Sequence, residues 1–306
     1  MKYTLRQLEI FVAVSRADSV SRASEILCLS QSATSTSLGE FERQFGLQLF
    51  DRLGKSLSIN KAGKRLLPKA VELLDRAKEI ESQLSGLAGY GEMHIGATLT
   101  IGNYLANLLV ANFLKDYPES NIRLQVHNTK TIVQQVANHE LDLGMIEGDC
   151  SHPDLHIEPW VADELAIFCA PDHPLAKKKK LNLDVLLKEI WILREKGSGT
   201  RETFDRAFKD KNLNIRLELE HTEAIKRAVE SGLGIGCISR LALKDAFRRG
   251  SLVSLDVPNI KLNRYFYFLW PKKKYQTSGM KEFLILCKKM TLGVERSDQV
   301  DLPLIP

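Results

Sequence analysis

At 306 residues, with 44% hydrophobic and 26% charged side chains, the chain is too long for one ordinary core and has the composition of a globular protein of two or three domains. Five scattered cysteines, Cys28, Cys150, Cys169, Cys237 and Cys287, form no Cys-x-x-Cys pair and no zinc spacing, which excludes a metal site built on them and reads as reduced thiols. No signal peptide opens the chain and no apolar run reaches the roughly 18 residues of a membrane span, so a cytoplasmic location without membrane contact is expected; the net charge of +5 is only mildly basic, with most of the surplus before residue 66, where a polyanion would be met.

The first predicted element is a helix capped by Thr4, with Leu5, Leu8, Phe11 and Val12 turned inward. Residues 19–42, SVSRASEILCLSQSATSTSLGEFE, read as two short helices around a tight turn. Val20, Ala23, Ile26 and Leu27 give the first an apolar stripe, and Ala33, Leu38 and Phe41 give the second one. Gln31, Ser32, Thr34 and Ser35 are then left outward, where amides and hydroxyls reach base edges or phosphates. That is the logic of a helix-turn-helix. Gly46, after Phe45, fits a left-handed C-cap, and FDRLGKSLSIN (50–60) alternates as a hairpin wing that carries Arg52 and Lys55 toward phosphates.

From Lys64 the pattern changes to one long helix. Leu66, Ala70, Leu73, Ala77, Ile80, Leu84 and Leu87 recur at alternating spacings of four and three, a heptad seam. Either the helix lies on its own domain or it pairs with a second copy, and no nearby segment is left to cover the stripe, so self-association is expected. Two copies present two recognition helices to an inverted repeat of double-stranded DNA. Gly86, Gly89 and Gly91 end the helix as a joint.

Beyond residue 92 strands and helices alternate. Strands are expected at 93–98, 122–127, 141–148, 163–171, 191–195, 215–220, 235–239, 252–255 and 263–270. Helices are expected at 101–117, 131–140, 200–210, 223–232, up to Arg249, and from about Ser278 to Met290. Such alternation implies a mostly parallel sheet with helices on both faces. The aromatic run Tyr265, Phe266, Tyr267, Phe268 and Trp270 reads as sheet core, and Lys177 to Lys180 as a solvated loop rather than a second DNA contact.

Three helices begin with similar chemistry: Thr98 and Thr100, the run Gly197-Ser198-Gly199-Thr200, and Thr222. Free backbone N–H groups, the positive helix end and nearby hydroxyls favour an anion there. Plain N-capping is the alternative at any one of them, and their recurrence in two similar halves favours a ligand at Ser198 and Thr100. Arg194 and Arg201 flank the GSGT loop and either neutralise that anion or pair with Glu195 and Glu202. Glu147 ends a buried strand and either faces the crevice as a selectivity element, requiring a proton, water or an ammonium group, or caps a helix or meets solvent. GSGT lacks the lysine and spacing of a P-loop, Ser198 is not framed as a nucleophile elbow, and Cys150 with His152 lacks an orienting acid. No catalytic residue, metal site or cofactor is expected, and a small anionic co-inducer is.

The run SRASEILCLSQSATSTSLGEFERQFGLQLFDR, followed by the wing, the heptad helix and two α/β halves, resembles the LysR-type transcriptional regulators over the whole chain. DLGMIEG, WILREKGSGTRE and EAIKRAVESGLGIGCISR resemble its YeiE/CysL/CbbR branch, tied to sulfur or carbon assimilation. The resemblance implies an α/β protein with an N-terminal all-α winged helix-turn-helix domain and a type 2 periplasmic-binding-protein-like effector domain of two α/β half-domains. On this chain the domains become 1–61 for DNA binding, 62–90 for the dimerisation helix and 91–306 for effector binding, with half-domain I at about 91–163 and 267–295 and half-domain II at about 164–266. It also implies dimers paired into a homotetramer, effector binding between the halves, and altered DNA bending that changes RNA polymerase recruitment. DNA-reading positions fall on Ser30, Gln31, Ser32, Thr34 and Ser35, with wing contacts at Arg52 and Lys55. Effector positions fall on Thr98, Thr100, Glu147, Ser198, Gly199, Thr200 and Thr222. Ser32 stands where many members have proline, Thr36 where many have arginine, and His221 where a small polar residue is common. The expectation is a transcriptional regulator, not an enzyme, that answers a small anion, with sulfite or another sulfur anion suggested by the branch. A solute-binding protein, or an architectural DNA-binding protein without ligand-gated regulation, remains the alternative at this point.

Overall fold

The computed structural model describes residues 2–53, 56–84, 89–178, 180–258 and 260–300. The N-terminal unit comprises α1 (Leu5–Ala17), α2 (Val20–Ile26), α3 (Gln31–Phe45), the hairpin β1 (Phe50–Leu53) and β2 (Ser56–Ile59), and α4 (Lys61–Leu84). Thr4 starts α1 as expected: its hydroxyl accepts from the Gln7 amide N–H, and the Gln7 side chain accepts from the Thr4 N–H. Phe11, Val14, Ala23, Leu38 and Phe41 form the core, and Ala23, having only a methyl group, lets α2 sit close to α1 and α3. Gly46 closes α3 in the left-handed conformation, φ 60°.

Two inner positions differ from the sequence reading. Ile26 is 68% exposed, and Ala33 is also outside, because the inner stripe of α3 is Thr34, Leu38 and Phe41. Those three are spaced four and three, the helical period that Ala33 misses by one residue. On α4, Leu67, Ala70, Val71 and Leu74 pack into the N-terminal core, whereas Leu73, Ile80 and Leu84 remain exposed. Ala70 therefore belongs to the inner face rather than to the outer seam. Leu87, Gly86 and the wing residue Lys55 lie outside the described residues.

The larger unit contains β3 (Glu92–Thr98), α5 (Leu99–Ile101), α6 (Asn107–Asp116), β4 (Asn121–His127), α7 (Thr129–Ala137), β5 (Leu143–Glu147) and β6 (Leu155–Cys169). A π-turn at Gly102–Ala106 joins α5 to α6. There follow α8 (Leu183–Leu186), β7 (Ile190–Arg194), α9 (Gly199–Ala207), β8 (Asn214–Leu219), α10 (Thr222–Glu230), β9 (Ile235–Ser239), α11 (Arg240–Arg249), β10 (Val253–Ser254), β11 (Asn263–Pro271) and α12 (Ser278–Met290). Strand order is β4-β3-β5-β11-β6-β9-β7-β8, with β10 beside β6.

The sheet is mixed rather than mostly parallel. Pairs β3/β4, β3/β5, β7/β8 and β7/β9 are parallel, but every contact of β6 and β11 is antiparallel. These two strands are shared by the half-domains: β11 borders β5 on one side, β6 borders β9 on the other, and they pair together between. The sequence reading began β6 only at Asp163, whereas the strand starts at Leu155 and contains Pro159. The ladder accommodates that proline at an irregularity where Tyr267 opposes Pro159 and Phe266 opposes Val161, leaving Trp160 without an opposite residue. Ile95, Phe113, Phe266, Phe268 and Phe283 fill the first half's core, and Trp191, Phe204, Leu186 and Ile235 fill the second's. Among the described residues no helix is long and apolar enough to cross a membrane.

Candidate functional site

The outer surface of α3 presents Gln31, Ser32, Ser35 and Thr36, all exposed. Ser30 caps the helix, its Oγ accepting from the Ala33 N–H at 3.2 Å and lying 3.1 Å from Ser32 Oγ. Thr34 does not join them. It is fully buried and its hydroxyl donates to the Ser30 carbonyl at 3.1 Å, so its work is inside the helix start rather than at a base edge. Arg52 stands in β1 opposite Leu57.

The second site lies between the half-domains, where the carboxyl ends of β3, β7 and β8 feed α5, α9 and α10. In an α/β sheet this is where ligands settle. Thr98 and Ser198 occupy the N-cap positions of α5 and α9, and Thr222 follows the N-cap His221 of α10. None of these three helices has a side-chain cap bond, although α1, α2, α3, α7, α11 and α12 all do. Thr98, Ser198 and Thr222 are each at most 1% exposed, and their hydroxyls have no partner among the described residues. Buried hydroxyls without partners are costly, which sets these three apart from the capped helix starts and makes them candidates for a polar ligand. Thr100 is buried in α5 beside them.

Arg194 ends β7 and is 1% exposed. Its Nε and Nη2 hold Glu195 at 2.8 and 3.0 Å, while Nη1 has no partner among the described residues. Arg201 is instead occupied by Asp205, Glu218 and the Arg194 carbonyl. A cavity of about 400 Å³ is lined by Leu99, Asn103, Asn128, Thr131, Glu195, Glu220 and His221, among others; these include sequence neighbours of Thr98, Arg194 and Thr222, but none of the buried hydroxyls lines it.

Gly199, Thr200 and Glu147 serve the junction of the halves. The Gly199 N–H donates to Thr129 Oγ1 at 3.0 Å, and that hydroxyl is 3.3 Å from the Glu147 carbonyl it donates to. A Cβ on Gly199 would stand 1.8 Å from that same carbonyl oxygen, so only glycine permits the approach. The Lys130 N–H donates to the Gly197 carbonyl at 3.1 Å, and Tyr104, in the π-turn, donates its hydroxyl to Glu223 of α10.

Glu147 is 1% exposed and paired with an arginine, a correction both to surface exposure and to a selectivity element that awaits a proton, water or ammonium group. Its partner is Arg264 of β11, which the sequence analysis did not single out. The Arg264 side chain is fully buried, donating from Nη2 to Glu147 and from Nε to Asp163, both at 2.7 Å, and from Nη1 to Thr200 Oγ1 at 3.0 Å. Ser239 and Ser297 donate to the other Asp163 oxygen. Burial works against the guanidinium charge, yet Glu147 and Asp163 outweigh it and raise its pKa further. A signal existed: Arg264 shares its strand alternation with Phe266, Phe268 and Trp270, all buried.

Two family models match the chain, "Bacterial regulatory helix-turn-helix protein, lysR family" over residues 5–64 and "LysR substrate binding domain" over residues 89–291. The chain belongs to the LysR family. This LysR-family chain is 41% identical over 289 residues to the "Uncharacterized HTH-type transcriptional regulator YeiE" of Escherichia coli K12, covering 94% of this chain and 98% of that one. It is 32% identical to the "HTH-type transcriptional activator CmpR" of Synechocystis, covering 92% and 93%. Among solved structures, the CcmR regulatory domain of Synechocystis in complex with 2-PG matches at TM-score 0.63 and 30% identity, covering 67% of this chain and 99% of that one. A full-length OxyR variant from Pseudomonas aeruginosa matches in fold at TM-score 0.73 and 20% identity over 95% of both chains. The LysR-family protein is thus a DNA-binding transcriptional regulator with an effector-binding domain, and its relatives are regulators rather than enzymes.

Proposed function

We propose that this LysR-type regulator is gated by a small anion bound at the starts of α5, α9 and α10. The observation that carries the reading is the set of three buried hydroxyls, on Thr98, Ser198 and Thr222, that are withheld from capping while Arg194 Nη1 lies unpaired nearby in sequence. Hydroxyls and helix N-termini together suit an anion. Thr100 belongs to the same ligand site, whereas Thr200, Glu147 and Gly199 act through the junction of the halves rather than on the ligand. Sulfite or another sulfur oxyanion is the finer reading, and it rests on the resemblance to the YeiE/CysL/CbbR branch.

On the DNA side, Ser30, Gln31, Ser32 and Ser35 read the promoter, with Arg52 and Lys55 on phosphates. The exposed Leu73, Ile80 and Leu84 of α4 support pairing with a second copy, and pairs of dimers form the tetramer that acts in the cytoplasm on RNA polymerase recruitment. Closure of the halves on the anion shifts the spacing of the paired recognition helices, with the energy coming from differential affinity for the two arrangements.

Calorimetry with sulfite, sulfate and phosphate on the parent chain and on Ser198→Ala tests the site. One lost hydrogen bond to a charged ligand is worth about 1.5–3 kcal/mol, or roughly 10- to 150-fold in affinity. Undiminished binding of the preferred anion removes Ser198 from the site, and no binding of any of the three removes the small-oxyanion reading.

A further inference from the structure

Charged and polar contacts join α4, the helix that carries the DNA-binding unit, to the first half-domain. Lys274, just beyond β11, has a side chain only 3% exposed, with its ammonium 2.6 Å from Asp75 of α4 and 2.8 Å from Asp142, the residue before β5. Asp142 also accepts from the His94 N–H at 2.8 Å. One turn along α4, Glu79 accepts from the Tyr275 hydroxyl at 2.6 Å and from the Ser278 N–H at 2.8 Å. The Arg76 guanidinium lies over the Tyr275 ring, 4.2 Å from its centre. Burial works against the charge on Lys274, but the two carboxylates outweigh it and hold the ammonium protonated.

Exposed ion pairs of this kind contribute little. A buried lysine facing two carboxylates is different, because removing the cation leaves two anions against each other in a site closed to water. The position of the pair also matters. Strands β5 and β11 are paired antiparallel, with Leu269 opposite Gly144 and Phe266 opposite Glu147. At one end of this ladder Asp142 and Lys274 hold α4, and at the other Glu147 and Arg264 join the base of the cleft.

We infer that Lys274 is an interdomain clamp: it holds α4, and with it the DNA-binding unit, against the first half-domain in the arrangement seen here, and its release frees the joint that follows α4. The clamp stands whether or not the cleft takes an anion, because none of its contacts is in the cleft.

The test is a distance distribution by pulsed electron paramagnetic resonance on the full-length chain, with labelled subunits diluted in unlabelled ones. Labels are placed at Cys28, exposed in the helix-turn-helix, and at Glu119→Cys, exposed in the first half-domain, with Cys150→Ser removing a competing thiol. A peak at the distance set by this arrangement is expected for the parent, and for Lys274→Met that peak is expected to fall at least twofold as the distribution broadens, with Lys274→Arg intermediate. Tryptophan fluorescence reports whether the effector domain stays folded, since Trp160, Trp191 and Trp270 all lie there. Asp75→Asn approaches the clamp from the α4 side and is expected to broaden the distribution in the same way, which keeps the test valid if Lys274→Met does not fold. A distribution as narrow as the parent's in a folded Lys274→Met or Asp75→Asn chain overturns the clamp.

Discussion

Arg264 holds the crossing of the half-domains together, and its removal has a calculable consequence. Arg264→Met keeps an unbranched apolar stem but deletes hydrogen bonds of 2.7, 2.7 and 3.0 Å to Glu147, Asp163 and Thr200. Both carboxylates are at most 1% exposed by side chain, so neither gains water in exchange. Breaking a buried pair from one side costs about 3–5 kcal/mol. At about 2–4 °C per kcal/mol for a domain of this size, the effector-domain transition falls by roughly 6–20 °C. Urea and thermal unfolding followed by tryptophan fluorescence measure that transition selectively, because all three tryptophans lie in the effector domain. Adding Glu147→Gln and Asp163→Asn to Arg264→Met removes the stranded anions and is expected to restore part of the loss. A loss under about 1 kcal/mol for Arg264→Met, or no recovery in the triple variant, refutes the account of Arg264 as the charge that closes this site.

Gln31→Ala is expected to weaken promoter affinity by about 1–3 kcal/mol in a gel-shift titration at fixed salt, as for a lost base contact. Thr34→Val, which deletes only the bond to the Ser30 carbonyl, is expected to cost about 1 kcal/mol of stability and leave sequence preference unchanged; altered preference returns Thr34 to the reading face. His139 lies beside the clamp, and burial first, then Lys274 and Arg16, push its pKa down to about 4. Between pH 6.5 and 4 the unfolded chain therefore binds a proton that the folded chain refuses, so stability falls as pH falls through that window. From pH 7 to 5 the contribution is about 1–2 kcal/mol. In His139→Asn, whose side chain tolerates the left-handed φ of 60° at that position, urea midpoints are expected to lose that part of the slope; an unchanged slope excludes His139 as its source.

Local signals carried most of the fold. Thr4 with Gln7, Ser30 before α3 and Gly46 after it act within four residues, so their pattern is complete in the sequence. The hydroxyl-bearing starts of α5, α9 and α10 were legible for the same reason, although only the structure distinguishes a hydroxyl that caps from one that does not. The misreadings have two physical sources. At α3 the rule that apolar residues turn inward chose Ala33 over Thr34, but a threonine that satisfies its own hydroxyl on the previous turn buries its methyl group without penalty. At Glu147 the missing fact was a partner 117 residues away. No local pattern encodes that pairing; it follows from β11 returning between β5 and β6.

Arg264 also shapes the field that the proposed site presents to an anion. Were Glu147 unpaired, a carboxylate under the starts of α5 and α9 would oppose any anionic ligand through a medium of low dielectric. Arg264 holds Glu147 and Asp163 below the cleft, and Arg194 holds Glu195 at its edge while its Nη1 has no partner among the described residues. In the proposed site the groups without a partner among the described residues are mainly dipolar, three hydroxyls and helix N-termini together with Arg194 Nη1, while Glu195 and Glu220 line the cavity next to them in sequence. An anion held by such groups depends on the geometry of both halves at once, since Thr98 belongs to one and Ser198 and Thr222 to the other. A site built from net charge would bind almost as well with the halves apart, because a Coulomb field falls slowly with distance. A site built from short hydrogen bonds loses most of its affinity once they are separated, and that difference is the differential affinity a ligand-gated switch requires.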